Sequence, residues 1–296
     1  MTAGSIDTGP RETTIRARGL EFGALEWGET DGPLALLIHG YPDTAWTWRH
    51  LGPALATRGW RVVAPFTRGY APTGFAPDDD YRASEQAKDI IALHQALEGN
   101  ENAVLVGHDW GAVATWVVAA TDPQRFRKLV AMSVPPPAAI LEPFRSWRTL
   151  PLAALQLRMS WYFIFNQLPF AERALPRLIP KLWKTWSPGY DAREDLAHIF
   201  DALNGPPRRR AALRYYRNSL TRGLPELAST RPVAPALYLH GSDDGCVRPE
   251  IGSRFADRLP AGSTFRLVTG AGHFLHLEQP ATVNDLILGW LEARAS

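Results

Sequence analysis

Ala103-Val104-Leu105-Val106-Gly107-His108-Asp109-Trp110-Gly111 reads as a short buried strand running into a sharp turn, and Gly111 to Ala120 continues as an apolar stretch long enough for a buried helix. Asp122-Pro123 stops that helix. A strand-turn-helix of the form G-x-nucleophile-x-G projects its central side chain from the tip. The flanking glycines are needed because side chains there would collide with strand and helix. At the centre stands Asp109, where most such turns carry serine. The first turn of a helix, with its unpaired N–H groups, favours an anion at that place.

An aspartate in this position selects the reaction. A serine that attacks a saturated carbon gives an ether, which water does not cleave. An aspartate gives an alkyl ester whose carbonyl belongs to the protein and can be hydrolysed by an activated water. The substrate implied has an electrophilic saturated carbon bearing a strained or good leaving group. Epoxides and alkyl halides fit, and ordinary esters do not.

The remaining machinery is expected in the chain order nucleophile, acid, histidine, with an oxyanion hole upstream. Leu34 to Ile38 is a strand-like run ending in His39-Gly40-Tyr41-Pro42, a loop that would offer the Tyr41 N–H to an oxyanion, with the Trp110 N–H as second donor. Pro235 to His240 reads as another strand, followed by Gly241-Ser242-Asp243-Asp244-Gly245-Cys246-Val247. In the pattern G-x-x-D-x-x-V the acid is Asp244, with Asp243 the lesser choice. Thr264 to Thr269 is a last strand that delivers Gly270-Ala271-Gly272-His273, and His273 is the expected base.

Together these motifs resemble the α/β-hydrolase superfamily, and within it the aspartate-nucleophile branch of epoxide hydrolases and haloalkane dehalogenases. The resemblance runs from about Thr13 to the end. Trp161-Tyr162-Phe163-Ile164-Phe165-Asn166-Gln167-Leu168-Pro169 and Leu213-Arg214-Tyr215-Tyr216-Arg217-Asn218 look specifically like epoxide hydrolases. In that family each carries a lid tyrosine that holds the epoxide oxygen, which implies Tyr162 and Tyr216. A phenol remains a proton donor at neutral pH. The dehalogenases often place an asparagine directly after HG, where this chain has Tyr41. The resemblance thus implies an epoxide hydrolase forming a vicinal diol, with His39, Pro42, Trp161 and Phe165 as substrate-binding residues. The alternative is a haloalkane or haloacid dehalogenase using the same aspartate. A catalytically silent ligand binder would lack a triad member, and none is missing.

The fold expected is α/β: the α/β-hydrolase fold, a mostly parallel twisted sheet with helices on both faces and an inserted helical cap. The core is expected at residues 1–134 and 226–296 and the cap at 135–225. Strand-like runs vanish after Pro135-Pro136-Pro137, and Pro-punctuated helical segments rich in Trp, Tyr and Arg continue to about Pro225. Such an insertion has to fold back over the carboxyl ends of the strands. Tyr81 to Glu98 has Ile90, Leu93 and Leu97 at helical spacing, with Gly99 as the expected left-handed C′ residue.

The 296 residues are 45% apolar, enough for a large core, and the net charge of +2 comes without a dense basic stripe, so no nucleic-acid partner is suggested. Cys246 is the single cysteine and reads as packing. Met1 to Gly19 is polar, and no stretch reaches the 18 apolar residues of a membrane span, which leads to the expectation of a cytoplasmic enzyme without membrane contact. No metal-ligand spacing or cofactor motif appears. The partners expected are an apolar epoxide and water, and a homodimer is permitted.

Neighbouring residues have plainer readings. His108 packs under the turn, His276 is a satisfied core histidine, and His94 on the covering helix is structural. Trp147, Trp161, Trp183 and Trp186 line the pocket or, for most of them, fill the cap's core. Arg208-Arg209-Arg210 is a solvated helix start. Tyr215 and Tyr216 cannot share a helix face, and the family match favours Tyr216.

Overall fold

A computed structural model describes residues 9–293. Of the expected core, residues 1–8 and 294–296 lie outside the described residues. Among those described, eight strands form one sheet: β1 (Arg11–Ala17), β2 (Leu20–Trp27), β3 (Leu34–Ile38), β4 (Arg61–Pro65), β5 (Val104–His108), β6 (Lys128–Met132), β7 (Ala236–Gly241) and β8 (Thr264–Val268). Their spatial order is β1-β2-β4-β3-β5-β6-β7-β8. β1 pairs antiparallel with β2 and β2 with β4, and all further pairs are parallel.

The central strands β3 and β5 are buried at every position, as continuous Leu, Ile and Val runs demand of strands covered on both faces. The covering helices of the core are α1 (Leu51–Ala56), α2 (Ala83–Ala96) and α3 (Trp110–Thr121). α3 is apolar almost all round and packs against β5, β6 and α2. At the end of α2 the left-handed residue is Glu98 (φ 56°), one position before the expected Gly99. The Gly99 N–H bonds the His94 carbonyl at 2.8 Å and the Glu98 N–H bonds the Gln95 carbonyl at 3.1 Å, which makes Gly99 the C″ residue of a Schellman end. Glycine is required there because a Cβ would lie 2.6 Å from the His94 ring.

Between β6 and β7 the regular structure is helical: α4 (Pro137–Leu141), α5 (Leu150–Met159), α6 (Trp161–Phe165), α7 (Leu175–Trp186), α8 (Arg193–Ala202), α9 (Gly205–Asn218) and α10 (Leu224–Ser229). The last of these runs past Pro225. The chain closes with α11 (Pro249–Phe255), α12 (Leu275–Glu278) and α13 (Pro280–Glu292). The inserted helices are tied to the loops at the strands' carboxyl ends. Trp183 Nε1 donates to the Pro42 carbonyl at 3.0 Å, Tyr215 Oη to the Arg68 carbonyl at 2.8 Å, and Gln156 Nε2 to the Cys246 carbonyl at 3.0 Å. Among the described residues, no helix is long and apolar enough to cross a membrane.

Candidate active site

Asp109 is the hinge between β5 and α3, with φ 52° and ψ −117°. A non-glycine residue held in this sparsely populated region stores strain of about 1–3 kcal/mol. The glycines around it leave no room for a side chain. A Cβ on Gly107 would lie 2.3 Å from the Gly111 carbonyl oxygen, and one on Gly111 would lie 2.1 Å from that of Ile38.

The two carboxylate oxygens of Asp109 face different partners. Oδ1 accepts the Tyr41 N–H at 2.7 Å. The Trp110 N–H flanks the same space, since a Cβ on Gly40 would lie 2.4 Å from Asp109 Oδ1 and 2.6 Å from Trp110 N. Oδ2 stands 3.5 Å from His273 Nε2, a buried nitrogen with no hydrogen-bond partner.

Asp244 Oδ2 lies 2.9 Å from His273 Nδ1, and Asp244 Oδ1 accepts the N–H groups of Cys246 (2.7 Å) and Val247 (2.9 Å). Asp243 accepts from Ser242 Oγ instead. Burial works against charge on His273, but the Asp244 and Asp109 carboxylates outweigh it and raise its pKa to about 10. Burial likewise opposes charge on Asp244, and the His273 and His240 rings hold it well below the usual carboxylate range.

The end of α7 seats both the Asp244 loop and the His273 loop, a feature without any signature in the sequence. The Trp186 carbonyl accepts from the Gly245 N–H at 3.1 Å and from the His273 N–H at 3.0 Å. A Cβ on Gly245 would lie 2.0 Å from the Thr185 carbonyl, which explains the glycine after the acid. The Trp186 ring packs 5.1 Å from His273 and 5.0 Å from Tyr162.

Tyr162 and Tyr216 are both buried, with ring centroids 5.7 Å apart. Tyr216 crosses Tyr41 at 4.9 Å, Trp110 at 5.3 Å and Phe163 at 4.7 Å, which brings it over the Asp109 turn. Tyr162 Oη lies 3.3 Å from Cys246 Sγ. Burial pushes both phenols well above their ordinary pKa. Tyr215 is excluded as a donor to this space because its hydroxyl holds the Arg68 carbonyl.

Four expected substrate-binding residues have other surroundings. His39 is fully buried, with Nδ1 on the Gly40 carbonyl (2.9 Å) and Nε2 accepting the Thr67 N–H (3.0 Å), so both nitrogens hold loops. Pro42 offers its carbonyl to Trp183. Trp161 is 48% exposed, because Tyr162 takes the inward position on α6 and adjacent helical residues diverge. Phe165, one turn on, packs against Trp161 at 6.0 Å and against the core, while Phe163 supplies the ring beside Tyr216.

Of the remaining tryptophans, Trp183 and Trp186 are buried between cap and core, and Trp147 is exposed. Arg208 and Arg209 donate to loop carbonyls, Arg208 to Gly69 and Thr73 and Arg209 to Leu203; Arg210 pairs with Glu172. Arg208 and Arg209 are half-buried and anchored, in place of the expected solvated helix start, while Arg210 stays exposed as expected. His108 is buried under the turn, its Nε2 on the His273 carbonyl at 3.0 Å, and His94 bonds the Asn100 carbonyl. His94 Nδ1 is buried without a partner, and His276 is likewise only half satisfied. Its Nε2 meets Thr47 Oγ1, but its Nδ1 is buried without a partner, as are His108 Nδ1 and Asp43 Oδ2. Among the described residues, two sets of ligand-type atoms lie within 4.8 Å of one another: Asp43, His108 and His276, and Asp109, Cys246 and His273.

Residues 33–280 match the alpha/beta hydrolase fold family. The chain is 30% identical to the AB hydrolase superfamily protein YfhM of Bacillus subtilis, over 94% of this chain and 96% of that protein. It is 27% identical to epoxide hydrolase A of Mycobacterium tuberculosis, over 95% and 97%. The crystal structure of epoxide hydrolase A from Mycobacterium thermoresistibile superposes with a TM-score of 0.75 at 28% identity, covering 96% of this chain and 98% of that one. The buried parallel strands, the Asp109 turn and the helices inserted after β6 are therefore those of a member of the alpha/beta hydrolase fold family, to which this chain belongs.

Proposed function

We propose that the protein is an epoxide hydrolase that converts an apolar epoxide to a vicinal diol through an ester on Asp109. The observation that carries this reading is the divided environment of the Asp109 carboxylate: Oδ1 is held by the Tyr41 N–H and Oδ2 is left to attack. Relatives named as epoxide hydrolases support it.

In the first step Oδ2 attacks an epoxide carbon. The C–O bond breaks, and Tyr162 and Tyr216 donate to the oxygen that leaves. Buried, neutral phenols are suited to donating at neutral pH. Esterification removes the charge of Asp109, one of the two carboxylates that keep His273 protonated. As the alkoxide is protonated to the hydroxyl, the imidazolium gives up its proton, which leaves a hydroxyalkyl ester and a neutral imidazole. His273 becomes competent as a base only after the ester exists.

In the second step His273, oriented by Asp244, takes a proton from water that attacks the Asp109 carbonyl carbon. The oxyanion develops on Oδ1, already bonded by the Tyr41 N–H, with Trp110 N–H beside it. The diol leaves and the carboxylate is restored.

A panel of apolar epoxides, including styrene oxide and long-chain aliphatic epoxides, alongside haloalkanes tests the reading. Diol formation without halide release is expected. Halide release without diol would assign the dehalogenase chemistry instead.

A further inference from the structure

Cys246 was expected to be packing, yet its Sγ lies among the reacting groups, within 4.8 Å of ligand atoms of both Asp109 and His273. All three residues are buried, and His273 Nε2 has no hydrogen-bond partner. Asp109 Oδ2 and His273 Nε2 are already 3.5 Å apart. Ligands of a tetrahedral zinc, with bonds of about 2.0–2.3 Å, stand roughly 3.3–3.8 Å from each other, so closing the set needs shifts of about 1 Å.

We propose that Asp109, Cys246 and His273 form a binding site for a thiophilic divalent cation such as Zn²⁺, which occupies the nucleophile and the base together and so switches the enzyme off reversibly. The donor set of one carboxylate oxygen, one thiolate and one imidazole nitrogen is of the kind zinc takes, with a water in the fourth position. His273 supplies Nε2 because Nδ1 is fixed on Asp244, an orientation that a carboxylate partner commonly gives a metal-bound histidine. Burial disfavours the Cys246 thiolate, and a bound cation supplies the charge that offsets this. On binding, the Sγ–H and Nε2–H protons pass to solvent and the cation takes their lone pairs, with no change of oxidation state.

The other buried set, Asp43, His108 and His276, has no sulfur. That difference gives the test its discrimination. Cation binding stands independently of the epoxide reading; only loss of turnover rests on it.

The experiment titrates the full-length protein with Co²⁺ followed by absorption, and with Zn²⁺ followed by calorimetry and by epoxide turnover. Expected are one cation per chain, a thiolate-to-cobalt charge-transfer band, and turnover lost with Zn²⁺ and restored by a chelator. Cys246→Ala should lose the band and weaken Zn²⁺ binding at least tenfold, and Cys246→Ser serves if the alanine protein does not fold. Each variant's inhibition is measured against its own metal-free rate. A thiolate band in a protein that turns over no epoxide would uphold the site and sink the proposed function. A cobalt complex without the band, no binding, or equal Zn²⁺ affinity in the Cys246 variants would overturn the site.

Discussion

Asp109 Oδ2 and His273 Nε2 face each other across 3.5 Å without a hydrogen bond. In the proposed reaction this gap leaves Asp109 Oδ2 free to attack and His273 within reach of a water at the ester carbonyl. His273→Gln should therefore still form the ester but fail to hydrolyse it. We expect steady-state turnover to fall by about 10²–10⁴-fold. One equivalent of covalent adduct should be visible by intact-protein mass spectrometry, and a variant that turns over slowly without adduct would contradict this.

Tyr162 and Tyr216 approach the site from α6 and α9, two separate helices of the insertion. If both donate to the epoxide oxygen, either Phe variant retains partial activity and the double variant loses about 10²–10⁴-fold in turnover. Circular dichroism establishes that the fold persists. Full activity in the double variant would require a different proton source.

Gly111→Ala tests the closeness of packing at the turn. The added methyl would lie 2.1 Å from the Ile38 carbonyl oxygen, a backbone atom that cannot swing away. The cost should reach or exceed the roughly 1–3 kcal/mol of ordinary overpacking. Urea unfolding reads it, and Gly289→Ala, where a Cβ meets nothing within 4 Å, is the control.

Stability should peak near pH 6.5. Burial lowers His39 to about 4 and His108 to about 3, so the unfolded chain binds protons first as pH falls below about 6.5, and these two contributions are lost on the way to those values. In the other direction, burial and Asp195 raise Asp43 to about 8, and the carboxylates around His273 raise it to about 10. Both groups hold protons in the folded state that the unfolded chain has released, so stability falls as pH rises above 6.5. Each group contributes a slope of about 1.4 kcal/mol per pH unit in its window. Urea midpoints measured from pH 4.5 to 8.5 check the position of the maximum.

The parallel sheet and the Asp109 turn were legible because they rest on local rules: buried strands read as unbroken apolar runs, and glycine marks the positions where backbone meets backbone. The choice of Asp244 over Asp243 also followed from spacing. Other features depend on which way a side chain turns. Trp161 and Phe163 flank Tyr162 on one short helix, and only the fold of the insertion decides that Phe163 faces Tyr216 while Trp161 faces out. His39 and Pro42 sit in the expected loop, but their polar atoms are taken by Gly40, Thr67 and Trp183.

Positions 109, 246 and 273 converge through three different strand ends, so no spacing could have announced the cysteine beside the base. The same holds for the Trp186 carbonyl, a backbone atom that joins the acid and histidine loops. The left-handed residue at the end of α2 was misplaced by one because a glycine can be required by contact, here with His94, as well as by φ.

Covalent capture by Asp109 is tested most directly by a single turnover in ¹⁸O-water with enzyme in excess over epoxide. The oxygen added to the first diol should come from the Asp109 carboxylate and be unlabelled, with ¹⁸O appearing in Asp109 on peptide mass analysis. Label in that first diol, with none in Asp109, would mean that water attacks the epoxide directly and that no ester forms.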